Sequence, residues 1–135
     1  MVDQESQNFR ELLGYVFLEW SADYAVVGLQ VEARHMNRTG FLHGGVICTL
    51  LDVCCARAGC FPEDKDRQPL AVTLSYSVSF IGQTGAGPVR AVGRKQPGGR
   101  KIFAAAGQLF AEDGSVVAIG QGTYQYRKQT VDIFR

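Results

Sequence analysis

The chain has 135 residues, 46% of them hydrophobic and 20% charged, with a formal net charge of +1. This is about one domain of ordinary globular composition, too apolar for a disordered chain. The near-neutral balance gives no general case for nucleic acid, and no apolar run approaches the roughly 18 residues of a membrane-spanning helix.

Residues 3–13 read as a short helix, with Phe9, Leu12 and Leu13 at helical spacing and Gly14 to stop it. The polar, acidic start of the chain lacks the features of a secretory signal, so the cytoplasm is the expected compartment. Residues 15–20 (YVFLEW) and 24–34 (YAVVGLQVEAR) are rich in β-branched and aromatic side chains. Ser21, Ala22 and Asp23 between them read as a hairpin turn, and 35–41 (HMNRTGF) as a polar loop.

Residues 44–59 (GGVICTLLDVCCARAG) form a different kind of segment. Between Val46 and Ala58 the polar side chains are Thr49, Asp52 and Arg57, and Gly59 closes the run. A helix that apolar nearly all round is buried in a core or an interface. Cys48, Cys54, Cys55 and Cys60 contain no CxxC pair, so neither a zinc ribbon nor a thioredoxin motif is indicated. They read as reduced thiols that pack like small hydrophobes.

Residues 61–69 (FPEDKDRQP) read as an exposed loop. The remainder is strand: 70–80 (LAVTLSYSVSF), which alternates, then 89–94, 101–111 and 115–126. The breaks lie at 82–87, 96–99 (QPGG) and 112–114 (EDG), the last a strong hairpin signal. The expected fold is α+β, one domain over 1–135, with an N-terminal helix within 1–13 and a curved antiparallel sheet wrapped around the long buried helix 44–59. One layer of sheet on one helix leaves edges or helix ends exposed, so a dimer is expected.

Asp52 is the anomaly, because a carboxylate inside an apolar run costs several kcal/mol to desolvate without compensation. Arg57 is a poor partner, since i and i+5 do not share a helix face. Asp52 lies either on the one wet stripe of the helix or in a pocket as base or nucleophile. His43, Gly44 and Gly45 stand at the expected helix start, where backbone N–H groups are free and carry positive partial charge. They form either an ordinary glycine-rich start or a site that polarises a carbonyl. Asn37, in the preceding loop, is a turn residue or a second donor to the same oxygen. The eight residues from Gly44 to Asp52 span about 12 Å of helix, far beyond the ~3.5 Å between reacting atoms. That spacing fits a composite site built from two antiparallel copies of the helix.

The segment HMNRTGFLHGGVICTLLDVCCARAG resembles the signature of hotdog-fold thioesterases of the phenylacetic-acid-degradation (PaaI) type. Its elements are an asparagine, a glycine, HGG, and an aspartate nine residues after the histidine. The likeness runs from about Gly14 to Tyr126, through VTLSYSVSF and AEDGSVVAIGQGTYQY. It implies a hotdog fold and assigns roles residue by residue. Asn37 and His43 match the polar pair beside the thioester, Gly44 the backbone N–H on its carbonyl, and Asp52 the catalytic carboxylate. Thr73 matches a hydroxyl that places the water or the carboxylate; a register shifted by two would put Ala71 there and leave the role vacant. Leu51 departs from the alanine common before the aspartate. The resemblance also implies dimers paired into homotetramers, with Asp52 facing the other chain's HGG helix.

The expected activity is hydrolysis of an aryl- or short- to medium-chain acyl-CoA, with no cofactor, no metal and no nucleic-acid or membrane partner. The first alternative is a hotdog module that binds acyl-CoA without turning it over, although such a pocket gains nothing from burying a carboxylate. A hotdog dehydratase or hydratase would want its histidine paired with an acid for proton removal. Residues 84–135 hold eight Lys/Arg against three Asp/Glu, and residues 1–83 six against ten. Within the basic half, Arg94, Lys95, Arg100 and Lys101 surround a glycine-rich turn. They meet the phosphates of coenzyme A or form a solvated turn.

Overall fold

A computed structural model describes residues 8–64 and 68–127. Helix α1 (Phe9–Leu13) begins at a capping box: Asn8 Oδ1 accepts from Glu11 N at 2.9 Å, and Glu11 Oε1 accepts from Asn8 N at 3.3 Å. Gly14 stops it at φ +88°, a left-handed conformation that favours glycine. Residues 3–7 of the expected helix lie outside the described residues.

Six strands follow: β1 (Val16–Ser21), β2 (Tyr24–Val31), β3 (Ala71–Phe80), β4 (Gly87–Lys95), β5 (Ile102–Phe110) and β6 (Val116–Tyr126). They form one antiparallel sheet in the order β1-β2-β4-β5-β6-β3, so β1 and β3 are its edges. The hairpin turn between β1 and β2 is Ala22-Asp23, with Ser21 paired to Tyr24. Strand β2 ends three residues earlier than the sequence suggests, in a single 3-10 turn at Ala33–His35. The cause is His35, which is buried. Its Nδ1 accepts from Glu32 N at 2.9 Å and its Nε2 donates to Leu13 O at 2.7 Å, so the ring pulls the chain out of the sheet and ties it to α1.

Helix α2 (Gly44–Ala58) crosses the concave face. Ile47, Leu50, Leu51, Cys54, Cys55 and Ala58 point into the sheet at helical spacing. The approach is closest at β4, where a Cβ on Gly93 would sit 2.6 Å from Cys54 O. Gly59 caps the helix under the Phe103 ring, which lies 2.3 Å from where a Cβ would stand. All four cysteines are free thiols, three buried and Cys48 half-buried.

The opposite side of α2 is not covered by sheet. Val46, Thr49, Asp52, Val53, Ala56 and Arg57 are each only half-buried. The two edge strands curl toward this face from either flank: Thr73 of β3 reaches Asp52, and Phe17 of β1 reaches Arg57.

Candidate active site

Asp52 lies on that open face, and its Oδ1 accepts from Thr73 Oγ1 at 2.9 Å and from Tyr124 OH at 3.2 Å. The Tyr124 hydroxyl also reaches Asp52 O at 3.4 Å. Oδ2 has no donor among the described residues. Burial first, then nearby Cys55 and Asp52, push the Tyr124 phenol far above its ordinary range. It therefore stays a donor at any working pH.

A β-bulge brings Thr73 to the helix. Thr73 pairs with Tyr124 and Ser75 with Thr123, so Leu74 is an extra residue in β3. The sequence of β3 alternates strictly, with Val72, Leu74, Tyr76, Val78 and Phe80 in one phase. An unbroken strand would turn Thr73 to the face opposite all five. The bulge switches the phase, so Thr73 and Tyr76 both face α2 while Val72 and Leu74 are left exposed. Gly120 and Gly122 of β6 make the room that Tyr76 needs: a Cβ on Gly122 would meet its ring at 2.4 Å. Ala71 lines a cavity beside Asp52 and offers no hydroxyl.

Asn37, His43 and Gly44 gather at the other end of the site, around the start of α2. Asn37 Oδ1 accepts from Thr39 N at 2.9 Å, Thr39 Oγ1 at 2.8 Å and Phe41 N at 3.1 Å. Its oxygen is thus spent on closing its own loop, while its amide N–H groups have no acceptor among the described residues. His43 Nδ1 caps the helix by accepting from Gly45 N at 2.8 Å, which leaves the ring proton on Nε2. Its side chain makes no bond to Asn37 among the described residues. The Gly44 N–H is one of the free amides of a helix start. The exposed Phe80 ring stands 3.4 Å from where a Gly44 Cβ would be and walls that corner.

These two groups do not meet within one chain, because eight residues of the same helix separate Gly44 from Asp52, about 12 Å of rise. The basic residues lie elsewhere again. Arg94 stacks on Tyr24 at 4.8 Å, and Lys95 Nζ donates to Gly98 O at 3.0 Å and Gln96 O at 3.3 Å, bracing its own turn. Arg100 and Lys101 are exposed and follow Gly99, which lines a cavity with Lys95 and with Ala58 and Gly59 at the end of α2.

Tyr124 is the site residue that sequence reasoning missed. Its signal was faint: an aromatic with a polar tip, two residues beyond Gly122 and so in the same inward phase of β6. Cys48, one helical turn before Asp52, does not compete as a nucleophile. Burial and then the charge of Asp52 raise its thiol above the ordinary value, so it stays protonated. No cluster of three or more His, Cys, Asp or Glu suited to a metal occurs among the described residues.

Residues 39–118 match the family model of the thioesterase superfamily. A conserved protein of Pseudomonas aeruginosa has a solved structure 30% identical to the chain, with a TM-score of 0.79 over 93% of this chain and 98% of that one. A variant of the phenylacetic acid degradation protein PaaI of Thermus thermophilus is 31% identical, with a TM-score of 0.74 over 88% and 97%. A curated relative, a candidate esterase of Pseudomonas aeruginosa, is 36% identical over 73 residues, 53% of either chain. The chain thus spans about half the length of the curated relatives it matches. The six-stranded sheet around one helix and the superfamily match agree with each other, and the chain belongs to the thioesterase superfamily as a hotdog domain of the PaaI type.

Proposed function

We propose that the chain hydrolyses acyl-CoA thioesters, with Asp52 as the reacting carboxylate. The observation that carries this is the state of its two oxygens: Oδ1 is held by Thr73 and Tyr124, and Oδ2 lies free on the open face of α2. A carboxylate fixed through one oxygen presents the other in a defined direction, as a base or nucleophile must. It either draws a proton from water or attacks the carbonyl itself, forming an anhydride that water then opens. In both routes the C–S bond breaks, the thiolate sulfur gains a proton, and free acid and coenzyme A leave. Gly44 N–H and the Asn37 amide are the donors for the oxyanion, and His43 Nε2–H faces the leaving sulfur.

The 12 Å between Asp52 and Gly44 makes the working unit two chains, each supplying one half of a site. Edge strand β3 supports this reading. It carries exposed Val72, Leu74 and Phe80, and an unpaired strand edge of that kind invites a second copy. Pairing of dimers into a tetramer follows the PaaI resemblance. Four free thiols accord with a reducing, cytoplasmic setting.

The test is a free-thiol release assay over a panel of aryl and aliphatic acyl-CoA esters. Asp52→Asn should lower kcat by about 10²-fold or more while a non-hydrolysable analogue still binds. Near-wild-type turnover in that variant removes Asp52 from the mechanism. A wild-type protein that binds the esters and releases no thiol is a binding module.

A further inference from the structure

Beside Asp52 the open face of α2 holds a cavity of about 280 Å³. Its walls are largely apolar, with Val53 and Ala56 of the helix and Leu70 and Ala71 leading into β3. Asp52 borders it at one end, and Arg57 and Arg10 line it with Tyr15 and Phe17. The volume is just below that of a typical ligand pocket and suits an acyl group rather than a whole coenzyme A.

The two arginines are unusual in what they lack. Arg57 is half-buried, and its guanidinium stacks on Phe17 at 4.1 Å and Trp20 at 4.9 Å. None of its side-chain N–H groups has an acceptor among the described residues. Arg10 lies 4.9 Å from the centroid of the same Phe17 ring, and its one hydrogen bond there is a long one, Nε to Tyr15 O at 3.5 Å. Neither forms an ion pair with a described carboxylate. Arg10 is exposed and Arg57 half-buried, so two guanidinium groups over one ring line the cavity with no carboxylate partner among the described residues. Burial weakens the hold of Arg57 on its proton most, nearby Cys60 opposes that, and the charge of Arg10 adds to it. Tyr15 lines the same cavity: burial raises its phenol most, Arg10 and Arg57 pull it back, and Asp52 raises it further.

We propose that this cavity is the acyl subsite, and that Arg57 and Arg10 select an acyl group that ends in a carboxylate. The proposal rests on the thioesterase reading above. Guanidinium forks match a carboxylate in geometry as well as charge, and an anion in the cavity would supply the acceptor that Arg57 lacks among the described residues. The spacing sets the length. Five residues of helix separate Asp52 from Arg57, about 7.5 Å of rise. Helical side chains lean toward the N-terminus, which carries Arg57 back toward Asp52. The span fits a chain of roughly four to six carbons, at ~1.5 Å per bond before the zigzag shortens it. The phosphates of coenzyme A are the other source of anionic oxygen. They stand a whole pantetheine arm from the thioester and so from Asp52.

The experiment compares kcat/KM for adipyl-CoA, its terminal methyl ester and hexanoyl-CoA, in the wild type and in Arg57→Met, Arg10→Met and Arg57→Lys. The wild type should favour adipyl-CoA over both neutral esters by 10-fold or more. Either Met variant should collapse that ratio toward one, and Arg57→Lys should retain part of it. Because the readout is a ratio within one protein, partial misfolding of a variant does not imitate it. The same acyl groups on N-acetylcysteamine, which lacks phosphates, should show the same collapse. Loss confined to coenzyme A esters whatever the acyl group assigns the arginines to phosphates and overturns the proposal. Wild-type turnover of hexanoyl-CoA equal to or above adipyl-CoA overturns it as well, and leaves the thioesterase reading standing. No thiol release from any ester sinks that reading and this one with it.

Discussion

Replacing Thr73 with Val removes the hydroxyl that holds Asp52 Oδ1 at 2.9 Å and keeps both the volume and the β-branched shape that suits a strand. A hydrogen bond to a charged group contributes about 1.5–3 kcal/mol. Both partners here are open to solvent, so water replaces part of the loss and the lower end applies. About 1.4 kcal/mol of lost positioning is a tenfold fall in kcat. Tyr124→Phe removes the longer bond, at 3.2 Å, and should cost less, roughly 3–10-fold on the same scale. Both bonds end on one oxygen, so either one alone still restrains the carboxylate. The double variant should therefore lose more than the product of the single losses. The assay is steady-state thiol release with kcat and KM separated. KM should move less than about twofold, because the carboxylate acts in the transition state rather than in ground-state binding. Thr73→Ser should restore most of the rate. A Thr73→Val protein with wild-type kcat, or with a raised KM alone, would refute the positioning argument.

Three further outcomes are expected. Asp52→Asn mixed with Asn37→Ala, each inactive alone, should regain activity after subunit exchange, since the hybrid dimer holds one intact site; verified hybrids as dead as their parents would mean that the site is not shared. Reversing Arg100 and Lys101 to Glu should raise KM for a coenzyme A ester and change its salt dependence with little effect on kcat, as exposed charges act over about 8–10 Å; an unmoved KM identifies a solvated turn. Gly93→Ala should destabilise the fold by roughly 2 kcal/mol, on the order of 5–10 °C in Tm, because a Cβ 2.6 Å from Cys54 O forces α2 off the sheet; a Tm within 1–2 °C, about what a few tenths of a kcal/mol would move, would show that the contact yields easily.

Most elements were legible because their signals are local. The run from Val46 to Ala58 is too long for a strand, free of proline and closed by Gly59, and the Gly and EDG breaks mark where strands must stop. What stayed hidden depends on contacts between distant segments. The polar 3-10 turn after β2 exists because His35 finds Leu13 O, twenty-two residues away. The bulge at Leu74 is invisible in an alternating string, since it is fixed by how β3 registers against β6. The register of β3 against β6 puts Thr73 opposite Tyr124 and so beside Asp52, with Ala71 two residues earlier, and no local signal in the strand fixes that register. Tyr124 was missed for a related reason: its partner is 72 residues earlier in the chain.

Asp52 was singled out for the cost of burying a carboxylate, and the single chain does not incur that cost in full. Asp52 is half-buried on a face of α2 that the sheet leaves open. The apolar residues beside it, Val46, Val53 and Ala56, are half-buried too, although a one-sided surface helix would carry polar side chains at such positions. An apolar stripe around a carboxylate is therefore a surface prepared for covering. If a second chain and an acyl group supply the cover, water leaves only then, and the two bonds to Oδ1 strengthen as the local dielectric falls. A cover that also brings a helix start, with its free N–H groups, places positive partial charge where the oxyanion forms. On this view the anomaly in the sequence and the incompleteness of the single chain have one physical cause: α2 must serve one site through its middle and another through its first turn.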